Sequence, residues 1–126
     1  MKVEGQAILL NVESIEISLP FYRALGFQTV ETWEETSGTL GWVRLDQGST
    51  RLMLNRTSRS QSELRRARPD YSDFVGYLYI DSAPDAAREL SHQGLPARHV
   101  GPQDYGLDEV WIRDPDGYHW VLASHT

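Results

Sequence analysis

The sequence predicts an α+β fold in which one domain of 126 residues is built from two similar βαβββ modules. The composition, 40% hydrophobic and 24% charged, is typical of a single globular domain with a buried core. An internal repeat points to two modules, because a shift of 68 residues superposes Leu10 on Leu78 and Gly26 on Gly94. These matches fall on a strand and on a helix end, so duplication of one unit explains them better than chance.

The first module begins with a short aliphatic strand and a helix. Residues Ala7–Val12 alternate in the manner of a strand, and Ser14 can cap the helix that follows. The pattern predicts a helix over Ile15–Leu25 that ends at Gly26, and Pro20 predicts that this helix is short or kinked. Three further strands are expected in this module, at residues 28–34, 40–46 and 51–55.

The second module repeats this order. Val75–Ile80 reads as a strand, Ser82 as a cap, and Ala86–Gln93 as a helix stopped by Gly94. Three strands are again expected after the helix, at residues 97–100, 109–113 and 118–124.

A polar segment connects the two modules. We predict module one over residues 1–56, a linker over 57–71 and module two over 72–126, with one helical turn near Ser62–Arg68. Residues 56–68 carry five of the twelve basic residues, which favours a solvated connecting segment.

Charge and composition exclude several classes of function. The net charge of −6 disfavours nucleic-acid binding, because neutralising phosphates requires a surplus of Lys and Arg. The absence of cysteine excludes disulfides, thiolate metal ligands and a cysteine nucleophile. No apolar run is long enough to cross a membrane and no signal peptide is recognisable, so we expect a cytoplasmic protein.

Two motifs, together with the repeat, resemble one superfamily. Phe21–Phe27 reads Phe-Tyr-Arg-Ala-Leu-Gly-Phe after the first strand, and Asp114–Gly117 reads Asp-Pro-Asp-Gly before the last strand. With two βαβββ modules, this pattern is similar to the vicinal oxygen chelate superfamily of glyoxalases, extradiol dioxygenases and bleomycin-resistance proteins. The resemblance covers nearly the whole chain. It implies that the modules form a curved mixed sheet of two half-barrels around a cleft, with the helices outside.

The resemblance also implies where a metal would bind. Metal-dependent members place ligands on the first and fourth strands of both modules, and these positions fall on Ala7, Met53, Val75 and Val121. None of these side chains can hold a divalent cation. The chain therefore looks like the metal-free bleomycin-resistance type, whose members are homodimers that hold a drug at the subunit interface, and we expect no metal and no cofactor.

Strand alternation predicts the side chains that face the cleft. The parity of the strand around Trp42 is ambiguous, because the 68-residue shift reverses it, whereas Trp120 is assigned to the core. His119 faces the cleft and can exchange a proton near neutral pH, although a structural role is about equally expected. Tyr105 lies in a loop that the superfamily often places at the cleft mouth. The candidate ligand-binding residues are Leu9, Asn11, Trp42, Met53, Asn55, Tyr77, Tyr79, Tyr105, Trp111, Arg113 and His119.

Three functions are compatible with this pattern. The first is a homodimeric protein that sequesters a drug-like or aromatic compound without catalysis. The alternative is a lyase, isomerase or dioxygenase with a displaced metal site, such as His119 with Glu109 or Asp108, or with metal-free acid–base chemistry by His119 and Tyr77. The third is an interaction module whose cleft is filled by its own side chains.

Overall fold

The computed structural model describes residues 1–126, which form two compact units, Met1–Ser62 and Glu63–Thr126. The boundary between the units lies inside the predicted linker. Each unit contains one four-stranded mixed sheet, so the predicted α+β fold with two βαβββ modules is confirmed. No helix has the length and apolar character needed to span a membrane.

The first unit follows the predicted order of elements. Its elements are β1 (Ile8–Val12), α1 (Ile15–Ala24), β2 (Gln28–Thr36), β3 (Thr39–Gln47) and β4 (Thr50–Arg56). The strands are arranged β1-β4-β3-β2, with β1 parallel to β4 and the other neighbours antiparallel. Helix α1 packs against β3 and β4.

Local chemistry sets both ends of α1. The Ser14 hydroxyl accepts a hydrogen bond from the backbone N–H of Ile17 at 3.2 Å, which satisfies one of the free donors of the first turn. Pro20 lies inside the helix, which has ten residues in all. Gly26, with φ of 95°, allows the backbone to leave the helix in the left-handed region.

The second unit repeats this arrangement and adds a short helix in front. Its elements are α2 (Ser62–Ala67, which starts at the unit boundary), β5 (Val75–Tyr79), α3 (Ala83–His92), β6 (Arg98–Pro102), β7 (Leu107–Arg113) and β8 (His119–His125). The strands are arranged β5-β8-β7-β6, with β5 parallel to β8. Helix α3 packs against β6, β7 and β8.

The pairing of the strands resolves the ambiguity at Trp42. Val43 pairs with Leu54, whereas Val110 pairs with Leu122, so the hairpin of the second unit is one residue longer. The 68-residue correspondence between the modules is therefore off by one residue along β3, where Val43 corresponds to Val110. Val43 is fully buried against α1, and Trp42 lies on the opposite face of the sheet.

Candidate functional site

The sheet of the second unit has one face against α3 and one face that carries the candidate site. Ser124 accepts a hydrogen bond from the backbone N–H of Ala83, the first residue of α3, at 2.9 Å, which identifies the helix side. Trp120 and Leu122 share that side with Ser124 and are buried, as the sequence predicted for Trp120. The opposite side, called the site face below, carries Tyr77, Glu109, Trp111, Arg113 and His119.

Small residues in the middle of the sheet leave room on the site face. Val121 pairs with Tyr77 on one side and with Trp111 on the other, and Ala123 pairs with Glu109. The larger side chains therefore stand around a floor of Val121 and Ala123, both of which are fully buried.

Glu109 is the polar centre of this face. Its side chain is fully buried and accepts hydrogen bonds from the Tyr105 hydroxyl at 2.5 Å and the Tyr77 hydroxyl at 3.3 Å, both to Oε2. The indole N–H of Trp111 donates to Oε1 at 3.0 Å. Three aromatic donors thus hold one buried carboxylate, which is called the Glu109 cluster below.

The two phenols of the cluster, those of Tyr77 and Tyr105, resist ionisation. The pKa of Tyr77 is raised to about 12, mainly by burial and next by its hydrogen bond with Tyr105. The hydrogen bond to Glu109 is the main cause that raises the pKa of Tyr105. Both hydroxyls therefore keep their protons near neutral pH and orient them toward the carboxylate.

Tyr71 covers the site face from the segment that precedes β5. Its ring lies 4.9 Å from the ring of Trp111 and 5.2 Å from that of His119, measured between centroids. Its hydroxyl forms a short contact with the hydroxyl of Tyr77, and burial is the main cause that raises its pKa. The sequence offered no signal for Tyr71, because it lies outside any strand and reaches the site only through the tertiary fold.

His119 lies beneath Tyr71 and is almost completely buried, with 3% of its surface exposed. Burial is the main cause that lowers the pKa of the imidazole; the charges of Arg113 and Arg98 act in the same direction and those of Asp70 and Glu109 in the opposite one. Nδ1 accepts a hydrogen bond from the backbone N–H of Tyr71 at 3.2 Å. Because the accepting nitrogen carries no proton, the proton of the neutral ring is on Nε2. This Nε2 is buried and has no hydrogen-bond partner.

Arg113 anchors the covering segment. Its Nε donates to Asp70 at 2.7 Å, and its two terminal nitrogens donate to the backbone carbonyls of Arg65 at 3.1 Å and Arg68 at 2.8 Å. Each of the three guanidinium nitrogens therefore donates to the segment that leads into Tyr71. This geometry gives Arg113 a positioning role.

A small pocket lies beside Tyr71 and His119. The space that it encloses is about 10 Å³, far below the roughly 300 Å³ at which drug-sized pockets begin. With Tyr71 in this position, the pocket does not admit a drug-sized molecule. Its lining includes Arg65, Arg68, Tyr71, Phe74, Arg113 and His119.

The structure groups four of the predicted residues and separates a fifth. Tyr77, Tyr105, Trp111 and His119 lie within one connected set of contacts around Glu109 and Tyr71. Tyr79 is 70% exposed and lies 6.3 Å from Tyr77 between ring centroids, at the edge of this set.

The remaining predicted residues share one face of the first unit. Asn55 donates to the Asn11 side chain at 3.1 Å, and Trp42 pairs with both Asn55 and Trp33 across the strands. Leu9, which is 45% exposed, pairs with Met53 on the same face.

The positions that align with metal ligands do not fit a metal. Ala7, Met53, Val75 and Val121 offer no oxygen or imidazole donor, and no three His, Cys, Asp or Glu side chains are grouped so that they could hold a metal ion. Glu109 and His119 lie on the same face, but the Glu109 oxygens already accept three aromatic donors.

Comparison with known proteins defines the class. The family model of the Glyoxalase/Bleomycin resistance protein/Dioxygenase superfamily matches residues 6–122, so the chain belongs to this superfamily. The predicted family resemblance is thereby confirmed. No curated protein matches the sequence.

Several solved structures share the fold at low sequence identity. A bleomycin-binding protein in complex with bleomycin is 19% identical with a TM-score of 0.71, covering 98% of this chain and 100% of that one. A bleomycin resistance determinant encoded on the transposon Tn5 is 19% identical with a TM-score of 0.72, covering 98% of both chains. A lactoylglutathione lyase from Agrobacterium tumefaciens is 18% identical with a TM-score of 0.71, covering 98% of this chain and 96% of that one. At these identities the likeness establishes the fold alone.

Proposed function

We propose that this chain is a cytoplasmic, homodimeric small-molecule-binding protein that sequesters an aromatic or drug-like compound without a metal. The observation that carries the proposal is the Glu109 cluster, in which a buried carboxylate is surrounded by Tyr77, Tyr105 and Trp111. Aromatic walls with a few oriented polar groups are typical of sites that bind organic molecules through contact area and stacking. The fold shared with a bleomycin-binding protein and with a bleomycin resistance determinant supports the same class of function.

The chemistry of the cluster favours binding over catalysis. A general acid or base works best when its pKa lies near the working pH, and the raised pKa of Tyr77, about 12, is far from that range. The Glu109 carboxylate is occupied by three donors. The four positions where related enzymes bind a metal are apolar. These residues can orient a bound molecule more readily than transfer its protons.

The proposed dimer is supported by exposed apolar side chains in the first unit. Val30 and Trp33, both on the edge strand β2, are 49% and 57% exposed, and all nine residues of that strand are exposed. A long exposed edge strand that carries apolar residues is a surface that another chain can cover.

A ligand screen tests this function. We expect bleomycin or another aromatic antibiotic to raise the melting temperature of the full chain, and the bound compound to shift the indole N–H resonance of Trp111. The Trp111→Leu variant should bind the same compound about tenfold more weakly, because it loses a ring that lines the site. If no compound stabilises the protein and mass spectrometry detects conversion of a metabolite, the binding proposal is wrong.

A lyase or isomerase is the second candidate, and one observation favours it. The Nε2 of His119 is buried without a partner, and the lowered pKa of its ring leaves the imidazole neutral, so it can donate a hydrogen bond or exchange a proton. Metabolite turnover that is lost in His119→Asn would support this candidate. Stoichiometric Mn, Fe, Ni or Zn in protein purified without chelator would show that a metal takes part.

A further inference from the structure

Tyr71 occupies the position in which an aromatic ligand would sit. Its ring packs on Trp111 and on the edge of His119, and its hydroxyl contacts the hydroxyl of Tyr77. Through Tyr77 the phenol reaches Glu109, the polar centre of the site face. A ring that packs against an aromatic wall and places one hydroxyl against a polar group makes the contacts expected of a bound phenol.

The backbone at Tyr71 is strained. Its φ of 66° makes it the one residue other than glycine in the left-handed region, which a bulky side chain adopts at a cost. Neighbouring contacts hold this conformation: Arg113 binds Asp70, and the Ser72 hydroxyl donates to the carbonyl of Pro69 at 2.6 Å. Release of Tyr71 from the site would relieve the strain.

Two further observations indicate that the Tyr71 ring does not make all the contacts that the site offers. Tyr71 is 44% exposed, so it fills the site without being buried in the core. His119 beneath it is 3% exposed, and its Nε2–H donor has no acceptor. A buried donor without an acceptor is rare in native proteins, and it identifies a place where an oxygen atom of a ligand would be favoured.

We propose that Tyr71 is an internal occupant of the ligand site, and that the natural ligand displaces it with a planar aromatic group bearing a hydroxyl or carbonyl oxygen. The incoming ring takes the place of the Tyr71 ring on Trp111, and its oxygens bind the Tyr77 hydroxyl and the Nε2–H of His119. This inference rests on the proposed binding function and specifies the class of ligand.

Calorimetry with p-cresol, which is the side chain of tyrosine as a free molecule, tests the proposal. The Tyr71→Gly variant removes the ring and relieves the strain, because glycine accepts a positive φ. We expect p-cresol to bind this variant at least about tenfold more tightly than wild type, since the apparent affinity of wild type is reduced by the fraction of molecules in which Tyr71 fills the site. Toluene, which lacks the hydroxyl, should bind the variant about fivefold more weakly than p-cresol.

The matched control is Tyr71→Phe, which keeps the ring and loses only the hydroxyl contact with Tyr77. Its affinity for p-cresol should lie between those of wild type and Tyr71→Gly. Circular dichroism establishes that each variant is folded, and the Trp111 indole resonance establishes that p-cresol binds on the site face. If Tyr71→Gly fails to fold, a gain in affinity of Tyr71→Phe over wild type still supports the proposal and equal affinity overturns it.

Other outcomes separate this inference from the proposed function. Equal affinity of wild type and Tyr71→Gly for p-cresol would overturn the role of Tyr71 and leave the site intact. Binding of an aromatic antibiotic by wild type, with no p-cresol binding by any variant, would overturn the ligand class while the binding function stands. Failure of every compound, including the antibiotics, to bind would reject both.

Discussion

At the scale of single residues, the site is governed by burial of polar groups. Glu109 is buried without a cationic partner and is stabilised by three neutral aromatic donors. His119 is buried with its Nε2 unpaired. Burying a polar group costs free energy unless the group is hydrogen-bonded. The Glu109 carboxylate has its hydrogen-bond partners, whereas the Nε2–H of His119 can still donate to one.

The lowered pKa of His119 predicts how stability depends on pH. The ordinary value of 6.5 applies to the unfolded chain, and burial brings the folded value below it. Between the two values the unfolded state binds more protons, so the free energy of unfolding increases with pH in this window. The contribution of His119 is thus complete above pH 6.5 and is lost as the pH falls from there toward the folded pKa.

Urea denaturation at a series of pH values measures this effect. We expect wild type to lose stability as the pH falls through 6.5, and His119→Asn to lose less, because asparagine does not titrate and its amide oxygen can accept the Tyr71 N–H. His92→Asn is the matched control, since His92 is on the exposed end of α3. Identical pH profiles for wild type and His119→Asn would contradict the prediction.

At the scale of elements, the short helix α2 is part of the support for the site. The sequence predicted a solvated basic linker, but two of its arginines hold the Asp-Pro-Asp-Gly turn. Arg65 donates to the carbonyl of Asp116 and Arg66 to that of Pro115, both at 3.0 Å. The guanidinium carbon of Arg65 also lies 3.8 Å from the centroid of the Tyr118 ring. These contacts position the segment that carries Tyr71.

A comparison of two glycines tests the packing of α2 on this turn. Gly117 has φ of 85°, and a Cβ atom there would lie 2.8 Å from the backbone nitrogen of Arg66. Gly94 has φ of 77°, with no atom within 4 Å of such a Cβ. Gly94→Ala should lower the free energy of unfolding by about 1 kcal/mol, the cost of a positive φ alone.

Gly117→Ala should lower it by about 2 to 4 kcal/mol, because the new methyl group also pushes against the α2 backbone. Urea denaturation of both variants gives the difference. Equal losses in the two variants would show that α2 does not pack closely against the turn.

At the scale of the whole molecule, the first unit presents an apolar surface that a second copy of the chain can cover. Trp33 and Val30 are exposed on its edge strand β2, and Leu9 is exposed on β1 at the other edge of the sheet. An edge strand with exposed apolar side chains can be covered by another chain. This surface supports the proposed homodimer, whereas the site residues of the second unit support ligand binding.

Light scattering tests the dimer directly. We expect twice the chain mass of 14.4 kDa for wild type and a shift toward monomer for Trp33→Glu, which places a charge in the apolar surface. Thr32→Glu is the matched control, because Thr32 points to the other face of β2 and should leave the mass unchanged. A wild-type mass of 14.4 kDa would contradict the proposed dimer.

The fold was predictable because its signals are local. These signals are the alternation along the strands, the caps Ser14 and Ser82, and the helix ends at Gly26 and Gly94. Each depends on neighbours in sequence, and the structure has these features at the predicted places. Three of the grouped site residues, Tyr77, Trp111 and His119, were predicted from strand parity alone. The parity at Trp42 needed the pairing of the strands, because a one-residue difference between two hairpins leaves no local signal.

By itself, the sequence determined the βαβββ repeat, the superfamily and the side chains that alternate toward the site face. Only the tertiary structure brought Tyr77 to Glu109 and Tyr71 over His119, because these contacts join residues far apart in the chain. Alternation along a strand specifies a direction for each side chain. It carries no information about which segment covers that face, and that packing decides whether the site is open or occupied.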